Sequence, residues 1–468
     1  MSISGGVSGN EEKESFRDSI ATISKDGHRN WIFPKKPKGR YYNRRTIFST
    51  VLLALLFSGP FMKVGGHPLM LLNVLERKFI IFGIAFWPQD FHLFVLAMLT
   101  FIVFIILFTS LFGRLWCGWA CPQTIFMEMV FRKIEYLIEG DSMQQKALKS
   151  APLSLKKFGK RVLKALIFFV LSFIIANTFL AYIIGIDELK VIMTEDPSKH
   201  SGGLFAIIAF TGVFFGVYMK FREQACLIVC PYGRLQGVLL DKNSVVIGYD
   251  YIRGEPRGKV RENKTGDCID CHACVQVCPT GIDIRNGTQL ECVNCSACID
   301  ACDSIMDKIN KPKGLVRYTS EDAISTGNKF KVTPRIIGYS IVLTILLGVL
   351  ITLLSIRTDV EAIILRTPGM LYQKQTEHSY SDLYNINIVN KTFKKLPISL
   401  ELIEPKGTIK WIGDGIQSLN PQDVKDGQFF VIIEQDEIIE TKTELRILVK
   451  SGNKTVEEVS TNFIGPIK

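Results

Sequence analysis

The stretch Cys268-Ile-Asp-Cys271-His-Ala-Cys274-Val-Gln-Val-Cys278-Pro279, followed beyond Thr280-Gly281-Ile282-Asp283 by Cys292-Val-Asn-Cys295-Ser-Ala-Cys298-Ile-Asp-Ala-Cys302, decides how the rest of the chain is read. Each half is a C-x2-C-x2-C-x3-C run, and two in tandem make the pattern of a bacterial two-cluster ferredoxin. Three thiolates at this spacing wrap one corner of a cubane. The fourth lies too far along the chain to close on the same cluster, so it crosses to the other. The expected ligand sets are Cys268, Cys271, Cys274 and Cys302 for one [4Fe–4S] cluster, and Cys278, Cys292, Cys295 and Cys298 for the second. A disulfide framework would need an oxidising compartment, and structural zinc sites use paired cysteines rather than triplets. Asp303 stands where the first run has Pro279, which bears on the turn rather than on iron. His272 lies inside the first run and is read as a neighbour that tunes hydrogen bonding, not as a ligand.

Outward from this insert the chain is apolar. Of 468 residues 47% are hydrophobic, and five stretches approach the roughly 20 residues a helix needs to cross a bilayer: Thr46–Val64, Phe91–Phe112, Leu163–Ile186, Gly203–Lys220 and Ile336–Ile356. Leu69–Phe86 is apolar too, but Glu76, Arg77 and Lys78 interrupt it and Pro88 closes it. It is expected as an interfacial hairpin loop with Trp87 as an anchor. Residues 1–45 read as a cytoplasmic N-terminal tail without an apolar secretory core.

The net charge of +11 is carried by basic residues beside apolar runs. They form no stripe with interleaved aromatics, so the partner they imply is the lipid bilayer and not nucleic acid. Lys35, Lys36, Lys38, Arg40, Arg44 and Arg45 precede the first stretch, and Arg114, Arg132, Lys133, Lys156, Lys157, Lys160 and Arg161 separate the second from the third. The positive-inside rule places both segments in the cytoplasm, while the acidic connection Asp187–Gly202 faces outward. With five spans, residues 46–220 form a four-helix membrane domain, and residues 221–335, with the ferredoxin domain at about 259–310, are cytoplasmic. Residues 336–357 are then the fifth transmembrane helix. Residues 358–468 are periplasmic if the cell is Gram-negative, and the membrane is the bacterial inner membrane. All twelve cysteines fall in segments assigned to the inside, as a reducing compartment requires.

After Arg357 the pattern changes to short alternating runs. Tyr384–Val389, Ile398–Ile403, Phe429–Ile433 and Leu445–Val449 read as strands, separated by turn signals such as Pro405-Lys-Gly407, Ile412-Gly-Asp-Gly415 and Ser451-Gly-Asn453. This is the size and pattern of an all-β immunoglobulin-like sandwich without its disulfide. The fold class is therefore an α-helical polytopic membrane protein with an inserted α+β two-cluster ferredoxin domain and a C-terminal sandwich.

Two more cysteine pairs remain. Trp116-Cys117-Gly-Trp-Ala-Cys121-Pro122 follows the second apolar stretch, and Gln224-Ala-Cys226-Leu-Ile-Val-Cys230-Pro231 follows the fourth. In each C-x3-C-P copy, cysteines four apart share one face if helical. Four soft thiolates from two adjacent spans suit Cu(I), zinc or iron, or a redox-active dithiol, although buried cysteines also serve simply as small apolar residues.

These pairs, the segment Phe221-Arg222-Glu223 to Gln236, Tyr249-Asp-Tyr-Ile-Arg-Gly-Glu-Pro-Arg-Gly258 and the eight-cysteine insert together resemble the CcoG/FixG (RdxA) family of cytochrome c oxidase accessory proteins. The resemblance covers nearly the whole chain. A related membrane ferredoxin family of periplasmic nitrate reductase systems shares the pairs and the clusters but generally lacks a long outer β-domain. The resemblance implies help in assembling a cbb3-type haem–copper oxidase, through reduction of Cu(II) to Cu(I) for insertion. Its partners would be the oxidase subunits and copper-handling proteins, and Cys117, Cys121, Cys226 and Cys230 would be the copper site. No G-x-G-x-x-G fingerprint is present, so electrons are expected from a separate, unidentified donor. Two other readings fit the residues: a membrane ferredoxin exchanging electrons between quinone and a partner reductase, and a non-catalytic assembly scaffold.

Overall fold

A computed structural model describes residues 22–23, 26, 28–74, 78–87, 90–259, 266–327, 331–376, 378–438, 440–452 and 454–466. Most of the N-terminal tail, and Glu76, Arg77, Pro88 and Asn453 of the sequence reading, lie outside the described residues. The chain divides into two compact units, residues 1–61 with 97–347 and residues 62–96 with 348–468.

The expected apolar stretches become helices, Phe91–Phe112 with the expected ends and the others with shifted ones. Among the described residues four are long and apolar enough to cross a membrane: Phe91–Phe112, Leu155–Ile184, Ser201–Phe221 and Pro334–Ile356. The second of these starts at Leu155, not Leu163, because the Ser154 side chain accepts from Lys157 N–H and caps it there. The stretch expected at Thr46–Val64 is helical over Arg40–Ser58, so charged Arg40, Arg44 and Arg45 lie inside the helix and Val64 lies in a short strand. Pro60, with no N–H to give, follows directly on its end. The residue at this helix's N-cap is Gly39, which has no side chain to offer; the Asp300 carboxylate accepts instead from Tyr41 N (3.1 Å) and Tyr42 N (2.8 Å). An anion there also suits the helix dipole.

Several basic residues counted above as surface charge are buried: Arg45, Arg114, Arg132 and Lys157. For Arg132 the reason is packing against charge, whereas Arg114 and Lys157 give their nitrogens to backbone carbonyls. Arg222 clasps Glu135 with two hydrogen bonds, 3.1 and 2.7 Å, and Arg132 meets Glu128 at 2.9 Å, beside an aromatic core in which Phe131 stacks on Tyr218 with centroids 4.3 Å apart.

The cysteine insert is wider than the expected 259–310. Strand Val246–Tyr249 pairs antiparallel with Val316–Thr319, in the register Val246↔Thr319 to Tyr249↔Val316, and closes the insert at its base. Helices Ala273–Gln276 and Ala297–Lys308 follow the two cysteine loops. Ile247, Ile284, Ile299, Met306, Leu315 and Val316 form the core between them.

In the second unit the expected strands appear, longer than the sequence pattern suggested. Gly407–Trp411, Val424–Glu434, Ser379–Asn390 and Val360–Arg366 lie in that order in one antiparallel sheet, with Gln373–Thr376 pairing on Ser379–Asn390. Ser399–Glu404, Lys442–Ser451 and Lys454–Ile464 form a second sheet. Alternate residues Leu445, Ile447 and Val449 are fully buried against Tyr384, Phe429 and Val431. The Tyr384 hydroxyl donates to Asn462 O at 2.8 Å and ties the two sheets. The segment expected as a hairpin loop is a meander instead: Met70–Asn73, Lys78–Ile81 and Ile84–Phe86 pair in sequence order. Trp87 is half-buried with its indole nitrogen covered, and next to it the buried Asp90 carboxylate accepts from Arg357 and Lys391, both at 2.7 Å.

Candidate metal centres

The two cysteine loops repeat one backbone device. The residues on either side of the middle cysteine are left-handed in both copies, Asp270 (φ 54°) and His272 (φ 53°) in the first, Asn294 (φ 51°) and Ser296 (φ 66°) in the second. None is glycine, so each carries the small strain of that conformation to curl three cysteines inward. His272 and Ser296 then occupy the N-cap positions of the helices that follow, without a side-chain capping bond. The His272 ring faces Arg285, Nδ1 to Nη2 at 2.9 Å.

Two cavities result. Cys268, Cys271, Cys274 and Cys302 line the first with Tyr249, Met306, Leu315 and Val316. Cys278, Cys292, Cys295 and Cys298 line the second with Ile247, Ile282 and Ile284. They are of similar size, about 370 and 340 Å³ with their mouths included, and Cys274 borders both. Among the described residues no three of these side chains converge closely enough to hold a single metal ion. Cysteines spread around a void are what a four-iron cubane needs, with one thiolate per corner, so the residues present fit that group.

Burial pushes the Cys274, Cys292 and Cys302 thiols up to about 12 and Cys295 up to about 11. Without iron they stay protonated, and binding iron releases those protons. Arg285 opposes the rise at Cys274, Arg45 at Cys295 and Arg114 at Cys292. Cys271 is exposed, unlike the others of its set.

The C-x3-C-P pairs are not on continuous helices, which corrects the one-face expectation. Cys117 lies in the helical turn Leu115–Trp119 and Cys226 in the π-helical turn Ala225–Val229. Cys121 (ψ 123°) and Cys230 (ψ 113°) are extended N-caps of the next helices, each with proline in the first turn. Proline disfavours helical backbone in the residue before it, so both copies break at the second cysteine. They break alike: Cys121 N donates to Trp116 O and Cys230 N to Ala225 O, both at 2.9 Å. The pairs are neighbours across the break, although among the described residues no three of the four converge closely enough to hold a metal ion. Cys117 is felt electrostatically by Cys121 and Cys230, and Cys226 by Cys121, Cys117 and Cys230, while burial pushes Cys117 up to about 11 and Cys226 up to about 12.

Four further residues were not singled out by sequence. Gln236, fully buried, donates its Nε2 to Cys117 Sγ at 3.3 Å and so ties the first pair to the helix behind the second. Arg114 donates to Gly233 O and Leu290 O, joining both pairs to the loop before Cys292. Gly118, between the first two cysteines, lies against the second cluster loop: a Cβ there would approach Asn294 O to 2.6 Å and Val293 O more closely still. Tyr318 accepts from Trp119 Nε1 at 3.0 Å and donates to Asn294 O at 3.1 Å. Only Gly118 left a trace in the sequence, as a glycine inside a cysteine pair.

Comparison with known proteins agrees with this geometry. Residues 221–321 match a 4Fe-4S dicluster domain, residues 94–140 a 4Fe-4S binding domain, and residues 350–466 the Ig-like fold at the C-terminus of FixG. Among relatives, the nitrogen fixation protein FixG of Rhizobium meliloti is 35% identical over 303 residues, 62% of this chain and 57% of that protein. Protein RdxA of Cereibacter sphaeroides is 35% identical over 295 residues, 61% of this chain and 62% of that protein. The chain thus spans less than two thirds of the length of either. Protein RdxB of the same organism is 32% identical over 380 residues, 77% of this chain and 79% of that protein. A solved FixG-related protein from Vibrio parahaemolyticus matches 23% of this chain and 97% of its own at 18% identity, with a TM-score of 0.19 too low to bear on the fold. With the cysteine cavities, the dicluster match and the extent of the RdxB alignment all in agreement, this chain belongs to the FixG family of iron–sulfur proteins.

Proposed function

We propose that the protein is a cupric reductase of the bacterial inner membrane that supplies Cu(I) for assembly of a cbb3-type oxidase. In this reading the two cysteine sets hold two [4Fe–4S] clusters with crossed ligation, and Cys117, Cys121, Cys226 and Cys230 receive copper as substrate. The observation that carries it is the seating of Gly118 against Val293 and Asn294, which puts the first C-x3-C-P turn in contact with the loop of Cys292 and Cys295. When bound, such clusters take and give single electrons at low potential. The exposed Cys271 offers a partner protein access at the outer end, and Cys274, bordering both cavities, joins the outer set to the inner. Gln236 holds the Cys117 sulfur in place. One electron converts one Cu(II) to Cu(I), and soft thiolates favour the reduced ion, which makes the transfer downhill. The electron comes from a separate donor protein.

The proposed topology is supported by contacts that no membrane can separate. Tyr41 and Tyr42 bond Asp300 of the cysteine insert, so the start of helix Arg40–Ser58 and the insert share a side. Asp90 bonds Arg357 and Lys391, so the segment before Phe91 and the C-terminal domain share a side. Three candidate spans separate Asp90 from the insert and one separates the insert from Arg357, an odd number in each direction. That count supports reading helix Arg40–Ser58, with its charged first turns, as a fifth span beside the four clearly apolar helices. The lysines and arginines before the first apolar helix and between the second and third expected spans favour the cytoplasm for the insert and the periplasm for the C-terminal domain.

The test is copper reduction by anaerobically purified, full-length protein reduced with dithionite and freed of excess reductant, read with a Cu(I)-specific chelator. Replacing Cys226 and Cys230 by serine should abolish thiolate-bound copper and its reduction with iron content intact. Reduction at the parental rate by that variant would make the pairs structural and end the proposal.

A further inference from the structure

The two cysteine sets differ in the charge around them. Beside the first, Arg285 is neutralised: it donates to Asp283 at 2.9 and 2.6 Å and also to Asp270. Beside the second lie two arginines to which no carboxylate is hydrogen-bonded among the described residues, although Glu291 acts on Arg114 from farther off. Arg45 is 3% exposed, and its Nε and Nη2 are buried with no hydrogen-bond partner among the described residues. They belong to a cavity lined also by Val277, Pro279, Cys295 and Ala297. Arg114, 5% exposed, gives its outer nitrogens to two neutral carbonyls, Gly233 O and Leu290 O, and its Nε is buried without a partner. The carboxylate on the wall of the Arg45 cavity, Glu128, is held by Arg132 at 2.9 Å.

An uncompensated guanidinium is costly to bury unless negative charge meets it. Four thiolates around an iron–sulfide core carry net negative charge, and the potential of such a centre depends on charge nearby. We propose that Arg45, with Arg114, holds the centre at Cys278, Cys292, Cys295 and Cys298 at a higher reduction potential than the centre at Cys268, Cys271, Cys274 and Cys302. With clusters bound at both sets, this difference would favour passage of one electron from a low-potential one-electron donor protein at the Cys271 end toward the Cys292 loop, beside Cys117, where Cu(II) would accept it. Arg45 is a positioning residue in this scheme, acting through charge. The inference rests on the reading of the two cysteine sets as cluster sites.

The experiment keeps the two claims apart. Iron in the anaerobic full-length protein is counted first; a content well below about eight per chain defeats the cluster reading itself. Potentials are then measured by redox titration with paramagnetic resonance, the inner couple being identified as the one missing from a Cys278→Ser variant. Arg45→Met should lower the inner couple alone, shifting the electron distribution between centres on the order of tenfold, which is about 59 mV for a one-electron couple. Arg45→Lys should restore most of the shift. Glu128→Gln should move the same couple upward, an opposite sign that a merely structural role for Arg45 does not produce. An Arg45→Met protein with full iron and an unmoved inner couple overturns the proposal, as does an inner couple below the outer one in the parent. If Arg45→Met fails to take up iron at the inner site, the sign of the Glu128→Gln shift decides: upward supports, and none or downward overturns.

Discussion

Gln236 and Cys117 are 119 residues apart in sequence, yet the side-chain amide of one donates to the sulfur of the other at 3.3 Å, inside a buried junction between the two C-x3-C-P turns. Burial raises the Cys117 thiol to about 11 and this hydrogen bond pulls the other way, by favouring the thiolate. Gln236→Leu should therefore raise it further. Copper must displace the thiol proton, so the pH at which copper binding is half-complete should move upward, with up to about tenfold weaker apparent affinity per unit at fixed pH. Copper titration of the parent and variant across pH 6–9 checks this, and overlapping curves would deny Gln236 any role at the sulfur.

The crossed cysteine sets make separable predictions. Cys278→Ser should remove the centre lined by Cys292, Cys295 and Cys298, and Cys302→Ser the one lined by Cys268, Cys271 and Cys274. Each should lower iron from about eight to about four per chain. Spectra in which Cys278→Ser loses the outer, exposed centre would refute the crossing.

Gly118→Ala adds a methyl where Asn294 O already lies 2.6 Å from the Cβ position. The neighbour is backbone and cannot rotate away. The strain should cost about 1–3 kcal/mol and part the first cysteine pair from the second cluster loop. Copper reduction should fall while thiolate-bound copper survives, which single-turnover assays with pre-reduced protein can separate.

Asp90 provides a pH signature for the second unit. Burial pushes its carboxyl up, but hydrogen bonds from Arg357, Lys391 and the Trp87 N–H outweigh this and hold it below the usual carboxylate value. A depressed carboxyl contributes stability that is complete above the unfolded value near 4 and is lost as pH falls through the folded value. Protease protection of the 62–96 segment should weaken in that acid range in the parent. In Asp90→Asn it should already be weak at neutral pH, by about 1–3 kcal/mol, because half-buried Arg357 and buried Lys391 lose a carboxylate, Lys391 keeping Glu361 at 2.6 Å. Equal protection in both proteins at pH 7 would contradict the assigned role.

Topology is open to reporter fusions. A reporter active only outside the cytoplasm should be active after Lys468 and silent when inserted at Asn263. The reverse pattern would mean that the orientation drawn from lysine and arginine is inverted.

Local chemistry was legible in the residues. Cysteine spacing is set by the dimensions of a cubane, apolar run length by the thickness of a bilayer, and alternation by the two-residue period of a strand, so the insert, the four clear spans and the strands around Tyr384, Phe429 and Ile447 could be read without coordinates. Each of these constraints acts over a few neighbouring positions.

What the sequence by itself determined is thus the inventory: two clusters' worth of ligands, apolar helices and a β-sandwich. Tertiary structure decided which charges are buried and which segments meet. Arg45 and Arg114 looked like topological markers and became buried cations, since a guanidinium's surroundings depend on the element packed over it. The helix starting at Arg40 has no capping side chain of its own and takes Asp300 from 260 positions away, and the Leu69–Phe86 loop became a meander grouped with the C-terminal domain. The contact of Gly118 with Asn294 arises only when the chain has folded back on itself, because a close backbone approach leaves no signature in either segment beyond the missing Cβ.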